Sequence, residues 1–211
     1  MVIEDVRRHA EQFDQDLRHR PAGSQQEFAA ATYLLGHLQR AGYVVQLDYV
    51  PVKDLVRSTN VVAQAPRGEP RVVVVIPYDG RGGGEGIGVF LETARALRVR
   101  AADHAVEFVA LGAERATVSG GLLGSRRLAR RLLDDGVEAT IVELTGVGTG
   151  EPLVVAGDAA VDFLATTGGG GEEGRGSDRV WGRAGFRHAL VSGDPAAVGA
   201  ALLDFLEGPA G

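Results

Sequence analysis

The sequence of 211 residues contains no cysteine. Disulfide bridges, thiolate metal sites and cysteine nucleophiles are therefore excluded. It contains a single lysine, Lys53, so the Gly-Lys-Ser/Thr end of a phosphate-binding P-loop is also missing. The 28 acidic residues outnumber the 22 basic ones. The resulting formal net charge of −6 argues against a nucleic-acid partner. We find neither a membrane-spanning apolar run nor a signal peptide, so we expect a cytoplasmic protein.

The first part of the chain predicts two helices. Its length favours one domain over residues 1–211, with the polar residues 1–20 as an N-terminal helix. Ser24 and Glu27 have the spacing of a capping box, which begins a second helix. The helical period predicts that this helix packs inward through one apolar face, formed by Phe28, Ala31, Leu34, Leu35 and Leu38.

The remainder of the chain alternates between strand-like and helical segments. Residues 43–50 and 58–65 predict an antiparallel pair, and the apolar run at 72–76 begins a strand–helix alternation. This order predicts an α/β fold, a single three-layer α/β/α domain with a mixed, mainly parallel central sheet. The glycine-rich segment Thr166–Asp178 is predicted to be a loop.

One segment, IPYDGRGGGEGIG (Ile76–Gly88), follows an apolar strand and contains six glycines. Glycine-rich turns between a strand and a helix can bind phosphate. The dinucleotide pattern fails here, because Ile87 occupies the third glycine position, and Glu85 would repel a phosphate. A tight turn with several positive φ angles is the favoured interpretation. A nucleotide-binding α/β module remains an alternative.

Three acids lie at or near the ends of predicted strands: Asp79, Glu114 and Glu143. If the strands are parallel, these side chains meet at the carboxyl edge of the sheet. Clustered carboxylates need a metal, an arginine or a shared proton. Arg115 follows Glu114 directly and could provide the counter-charge.

Several segments, in this order, resemble the two-zinc exopeptidase family of bacterial leucyl aminopeptidases and glutamate carboxypeptidase relatives. The resemblance extends from about Pro21 to the C-terminus. It rests on RPAGSQQEFAAATYLLGHLQRAGYVVQLDYV, STNVVAQAPRGEPRVVVVIPYDG, GIGVFLETARAL, EFVALGAER followed by GLLGSRRLA, and GSDRVWGRAGFRHAL. It implies the family's α/β fold and a site with two zinc ions and a water activated by a glutamate base.

Carried over by position, the resemblance implies that the first half of the metal site is lost. The histidine ligand falls on Pro77, which has no donor atom, whereas the acid that orients that histidine remains as Asp79. The metal-bridging aspartate falls near Gly83 or Gly84, with Glu85 at or beside the neighbouring asparagine position.

The second half of the site is similarly reduced. Glu114 stands at the base position, but Arg115 replaces the adjacent carboxylate ligand. Glu143 is the only ligand-type position retained, and Asp178 marks a late pocket segment. Residues 190–198 contain no histidine for the last ligand. Because a catalytic zinc needs about three protein ligands, no zinc cofactor is expected.

The sequence thus predicts a degenerate, metal-free relative of the zinc aminopeptidases. It would bind a peptide, an amino-acid-like ligand or a protein partner, or serve as a scaffold, with pairs between Arg115 and Asp79 or Glu143 in place of the metals. The alternative is an active hydrolase of altered chemistry. It would use Glu114 as general base, assisted by Asp79 and Glu143, with one or no metal.

Overall fold

The computed structural model describes residues 1–101, 105–148, 150–160 and 177–208. The helices in these ranges are α1 (Ile3–Asp16), α2 (Gln25–Arg40), α3 (Gly84–Val99), α4 (Leu123–Asp134), α5 (Asp178–Ala184) and α6 (Pro195–Glu207). The strands are β1 (His19–Arg20), β2 (Val45–Lys53), β3 (Val56–Ala63), β4 (Val72–Pro77), β5 (Gly80–Arg81), β6 (Val106–Leu111), β7 (Thr140–Val147), β8 (Val154–Ala156) and β9 (His188–Gly193).

The main sheet has seven strands in the order β2-β3-β6-β4-β7-β9-β8. Its centre is parallel, since β4 pairs with both β6 and β7, and β7 pairs with β9 in the same direction. The edges are antiparallel, through the β2–β3 and β3–β6 pairs on one side and the β8–β9 pair on the other. The predicted mixed, mainly parallel sheet is therefore confirmed.

Helices cover both faces of this sheet, because its central strands are apolar on both sides. Val74 and Val142 belong to a core shared with α1, α2, α3 and α6. Their neighbours Val73 and Val75 point to the opposite face and pack with residues of α4 and α5. Successive side chains of a strand alternate between faces. The unbroken run of valines thus serves two cores, and the predicted three-layer arrangement is observed.

The second helix begins as predicted but faces partly outward. Ser24 caps it by accepting a hydrogen bond from the backbone N–H of Glu27 (3.1 Å). Phe28, expected in the core, is 68% exposed, so that prediction is wrong. The buried face consists of Glu27, Ala30, Ala31, Leu34 and Leu38. Phe28 lies outside this face, because the residue before it, Glu27, is the one that points inward.

The first helix ends earlier than expected. It stops at Asp16, and His19–Arg20 forms a short strand instead of a helical end. The predicted loop Thr166–Asp178 lies outside the described residues except for Ser177 and Asp178. None of the described helices is long and apolar enough to cross a membrane.

Two glycines allow α1 to lie directly against α3. A Cβ atom added at Gly84 would lie 2.6 Å from the carbonyl oxygen of Ala10, and one at Gly88 would lie 3.0 Å from the Cα of Val6. Both neighbours are backbone atoms of α1 and cannot rotate away. Asp14 of α1 also accepts a hydrogen bond from the first backbone N–H of α3, that of Gly84 (3.2 Å). The glycine-rich segment therefore serves helix packing.

Replacing Gly88 by alanine should destabilise the fold. Its new methyl group would overlap the α1 backbone, and overpacking of a tight contact costs about 1–3 kcal/mol. Gly36→Ala in α2 is the matched control: the nearest atom to its added Cβ is 3.7 Å away on a flexible side chain, so it should be neutral or stabilising. Urea denaturation measures both, and equal stability of the two variants would contradict the packing described.

Candidate functional site

The three acids singled out in the sequence come together near the carboxyl edge of the central strands. Asp79 follows β4, Glu114 follows β6, and Glu143 lies within β7 opposite Val75 of β4. All three are buried, with exposures of 2%, 5% and 4%. The charges of Glu143 and Asp79 both raise the pKa of Glu114, so the acids share one electrostatic environment.

Glu114 is held by two serines. Its Oε1 accepts a hydrogen bond from the backbone N–H of Ser125 (2.6 Å), and its Oε2 accepts from the Ser125 hydroxyl (3.0 Å). A third donor, the Ser177 hydroxyl, lies 3.1 Å from Oε2. The carboxyl group of Glu114 therefore bridges the start of α4 and the residue before α5, and its accepting positions are occupied by protein donors.

Glu143 is satisfied by a tryptophan that the sequence analysis did not single out. The indole Nε1–H of Trp181 donates to its Oε2 at 2.9 Å, and Trp181 is fully buried. The single hydroxyl proton of Ser177 can be donated to Glu143 in place of Glu114. This alternative favours the ionised form of Glu143, whereas the charge of Asp178 disfavours it. Ser177 thus connects the two glutamates. Trp181 is the only tryptophan of the chain and follows Asp178 closely. This was the sequence feature from which its place in the site could have been predicted.

Both glutamates hold their protons up to neutral pH. Burial raises the pKa of Glu114 to about 7, and the charge of Glu143 adds to the increase. Burial also raises the pKa of Glu143 to about 7. Two neighbouring carboxyl groups in a site of low polarity resist losing both protons. At neutral pH the pair therefore carries a proton that either member can supply.

Asp79 has one satisfied oxygen and one that is not. Its Oδ2 accepts a hydrogen bond from the backbone N–H of Arg115 at 2.8 Å. Its Oδ1 is buried and, among the described residues, has no hydrogen-bond partner. Burial is the main cause that raises the pKa of this carboxyl group. An unpaired buried oxygen of this kind is costly, so it indicates a place for a donor group.

Arg115 does not form the predicted ion pairs. Its guanidinium Nη1 donates to the carbonyl oxygen of Arg81 at 2.8 Å, and the residue is exposed. Within the described ranges no ion pair joins it to Asp79 or Glu143. The reason is local, because Asp79 accepts its hydrogen bond from the backbone N–H of Arg115 and not from the guanidinium. The Arg115 side chain instead extends past Gly80, where an added Cβ would lie 2.6 Å from Arg115 Cδ.

A buried arginine fixes the loop that begins at Pro77. Arg20 donates from Nε to the carbonyl oxygen of Tyr78 (2.5 Å) and from Nη2 to that of Gly82 (2.6 Å). Its guanidinium also lies 4.3 Å from the centre of the Phe13 ring. Arg20 is 1% exposed. The loop is thus clamped from the N-terminal side by a residue that the sequence analysis did not identify as functional.

At the far end of this loop, Glu85 is directed towards the segment after β7. It occupies the first turn of α3 and is half-buried. Its Oε2 lies 3.8 Å from the position that a Cβ on Gly148 would take. No hydrogen bond or ion pair that the described residues define connects Glu85 to Glu114 or Glu143.

Glu27 and Asn60 hold the loop between β6 and α4, which carries Glu114. Glu27 accepts hydrogen bonds from the backbone N–H of Ala113 (3.2 Å) and from the Ser58 hydroxyl (2.5 Å). The side-chain amide of Asn60 accepts from Gly112 N–H (3.1 Å) and donates to the Gly124 carbonyl (3.0 Å). These buried polar groups fix the position of Glu114. The sequence analysis did not identify this role, because Glu27 lies in a helix and Asn60 in a strand, away from the loops that carry the acids.

The residues present do not fit the two zinc ions that the fold implies. Pro77 offers no donor atom, and neither Gly83 nor Gly84 carries a side chain that could bridge two ions. A side chain at Gly84 would also overlap α1, whereas Gly83 has open space around it. The Arg115 guanidinium is a cation, and Glu114 and Glu143 already accept hydrogen bonds from serine and tryptophan. In the described part of the chain, no three histidine, aspartate or glutamate side chains are arranged to hold a metal ion.

A cavity of about 310 Å³ opens beside Asp79. Basic groups reach it from two directions, since Lys53 lines it from the β2–β3 hairpin and Arg115 from the loop after β6. The rest of its wall comes from Pro21, Ala22, Val52, Val56, Gly80, Ala116, Thr117 and Val118. Its size is at the lower end of the range for small-molecule pockets.

Solved structures of an aminopeptidase precursor, a glutaminyl cyclase and a Zn-dependent exopeptidase share this fold. A leucine aminopeptidase precursor from Bacteroides thetaiotaomicron aligns with TM-score 0.84 at 15% identity, over 98% of this chain and 97% of that one. A glutaminyl cyclase from Tannerella forsythia aligns with TM-score 0.82 at 16% identity, over 98% of each chain. A Zn-dependent exopeptidase from Parabacteroides distasonis gives TM-score 0.81 at 14% identity, again over 98% of each.

No protein-family model matches the sequence, and the comparison with curated proteins finds no match either. The structural likeness therefore establishes the fold: the chain has a zinc exopeptidase-like fold, as the resemblance implied. This fold supports peptidases and glutaminyl cyclases alike, so it does not by itself choose a reaction.

The two buried glutamates should make stability depend on pH. Their ordinary pKa of 4.5 rises to about 7 on folding, so the folded state binds more protons than the unfolded state between these values. The free energy of unfolding should therefore fall as pH rises from about 4.5 to about 7, and level off above. Glu143→Gln should reduce this slope and stabilise the protein at pH 8 by about 1–3 kcal/mol.

Glutamine keeps an oxygen that can accept from Trp181, so the variant retains the neutral form's hydrogen bond. Urea denaturation at several pH values measures the slope. The control is Glu69→Gln, which changes an exposed acid before β4 and should leave the slope as in the parent protein. A slope unchanged by Glu143→Gln would contradict the burial of an ionisable group at this position.

Proposed function

We propose that this protein binds a free amino acid or the end of a short peptide without hydrolysing it by zinc chemistry. The observation that carries the proposal is the cavity beside Asp79. It combines a buried carboxylate oxygen that lacks a partner among the described residues with two basic side chains, Lys53 and Arg115.

The charges of this cavity match a zwitterion. The ammonium group of a ligand can enter beside Asp79 and, once the cavity wall shifts slightly, donate to Oδ1, which is buried and unpaired among the described residues. Its carboxylate can accept from Arg115, whose planar guanidinium suits bidentate pairing, and from Lys53 at the cavity's outer wall. The mainly apolar and small residues between them leave room for a side chain.

The binding role is supported by the contacts at the positions where the resemblance implies metal ligands. The Gly84 position is closed by α1, and the Arg115 side chain is directed to Arg81. Glu114 and Glu143 are occupied by hydrogen-bond donors from α4 and α5. Two-metal hydrolysis requires ions bridged by a carboxylate and a water, and these residues provide no such arrangement.

Calorimetric titration with leucine and leucyl-glycine tests the binding role. We expect binding that requires both charges, so N-acetyl-leucine and leucinamide should bind at least about tenfold more weakly. N-acetyl-leucine cannot donate an ammonium group to the buried Asp79, and leucinamide cannot form the charged pair with Arg115. Arg115→Gln and Asp79→Asn should each weaken leucine binding to a similar degree. Asparagine retains an oxygen for the Arg115 N–H, which keeps the loop in place.

Arg67→Gln is the matched control, since it removes an exposed arginine before β4, outside the cavity wall. It should bind leucine as the parent protein does. The proposal fails if the folded protein binds neither probe, or if the acetylated and amidated analogues bind as tightly as leucine.

Loss of zinc chemistry is tested separately. Protein purified with excess zinc chloride and then desalted should retain well below one zinc ion per chain by mass spectrometry. It should also release no product from leucine p-nitroanilide. Stoichiometric zinc, or turnover that follows zinc content, would contradict this part of the proposal while leaving the binding result intact.

A second candidate function follows from the glutamate pair. Because Glu114 and Glu143 have pKa values of about 7, they are suited to exchange protons near neutral pH. Glu114 would then act as general acid and base, with Glu143 sharing its proton through Ser177. This candidate predicts metal-independent turnover of an aminoacyl or dipeptide substrate that Glu114→Gln abolishes. An inactive parent protein across such a panel would exclude it for these substrates.

A further inference from the structure

A groove of about 520 Å³ lies between α4 and α5 and shares no lining residue with the Asp79 cavity. Four arginines line it, Arg126 and Arg130 from α4 and Arg179 and Arg183 from α5. Asp134 is the one acidic residue among the described residues that line it. This concentration of positive charge contrasts with the net charge of −6 of the whole chain.

The spacing of the arginines destabilises the two helices slightly, because like charges repel within each helix. Each helix presents two arginines four positions apart, which places like charges one turn from each other, and such pairs destabilise a helix by about 0.2–0.5 kcal/mol each. Asp134 relieves little, because its Oδ2 is 3.7 Å from Arg130 Nε and both side chains are exposed. An anion between the helices would relieve both pairs at once.

The groove is also lined by apolar residues, which are called its floor below: Leu122, Ala129, Leu133, Val180 and Ala184. Leu133 is 55% exposed, so an occupant with an apolar side chain would remove its surface from water. A simple inorganic anion would leave this floor uncovered. The groove therefore matches a ligand that combines carboxylates with apolar side chains.

We propose that this groove binds an acidic peptide segment of a protein partner, in which glutamate or aspartate alternates with apolar residues. In an extended peptide, residues two positions apart are about 6.6 Å apart, and the arginines one turn apart on each helix are at about 5–6 Å. Successive side chains of an extended peptide point to opposite faces. Its apolar residues can therefore contact the floor, while the carboxylates at alternate positions, on the other face, can pair with the long arginine side chains. Arginine suits this role because it binds carboxylates bidentately.

A nucleic-acid ligand fits less well. Among the described residues that line the groove there is no aromatic side chain on which a base could stack. Arg126 is already positioned at one end of the groove, where its Nη1 donates to the Ser119 carbonyl at 2.9 Å. This contact orients its guanidinium before any ligand binds.

Fluorescence anisotropy with labelled peptides at 150 mM salt tests the proposal. The probe is a hexapeptide of alternating glutamate and leucine, and its counterpart has glutamine in place of glutamate. We expect the glutamate peptide to bind and the glutamine peptide to bind at least about tenfold more weakly. The double variant R179Q/R183Q should weaken glutamate-peptide binding by a similar factor, and Leu133→Gln should weaken it through loss of the apolar contact.

The matched control is R7Q/R67Q, which removes the same charge from exposed positions elsewhere and should bind like the parent protein. Far-ultraviolet circular dichroism confirms that each variant is folded. The proposal is overturned if both peptides bind equally, if R179Q/R183Q binds the glutamate peptide like the control, or if a single-stranded oligonucleotide binds more tightly than the glutamate peptide.

Discussion

The direct contact between the backbones of α1 and α3 is the constraint on which the rest of this molecule depends. Gly84 and Gly88 allow it, because side chains at these positions would overlap Ala10 and Val6. Once α1 lies there, Asp14 can accept from the first N–H of α3. The chain leaving α1 then delivers Arg20 to the loop after β4, where it binds two carbonyl oxygens. The loop's shape is therefore set by packing and backbone hydrogen bonds.

The same contact closes one of the two positions, Gly83 and Gly84, at which the resemblance implies a metal-bridging carboxylate. A bridging carboxylate at Gly84 would need space that α1 occupies. Hydrogen bonds and raised pKa values stabilise the three buried acids. Glu114 and Glu143 share Ser177 and retain protons to about pH 7, and Asp79 takes a backbone N–H. In physical terms, protons and neutral donors stabilise the buried carboxyl groups.

The sequence predicted the layered fold well, because that fold depends on patterns of apolar residues. The valines of β4 and the capping residue Ser24 determined their elements as expected. The site was predicted less completely. Which acids would meet followed from the parallel strands, but the direction of Arg115 depends on a turn that sequence does not specify. Trp181 is remote from Glu143 in the chain, so their hydrogen bond is visible only in three dimensions.

Trp181 links the outer groove to the buried glutamate pair. Its indole reaches inward to Glu143, while its neighbours in α5, Val180 and Ala184, line the outer groove. A peptide that displaces α5 outward would weaken the Trp181 hydrogen bond, which favours the charged form of Glu143. Loss of that bond would raise the pKa of Glu143 further. Occupancy of the groove and protonation of the buried pair are therefore thermodynamically linked if α5 moves as a unit.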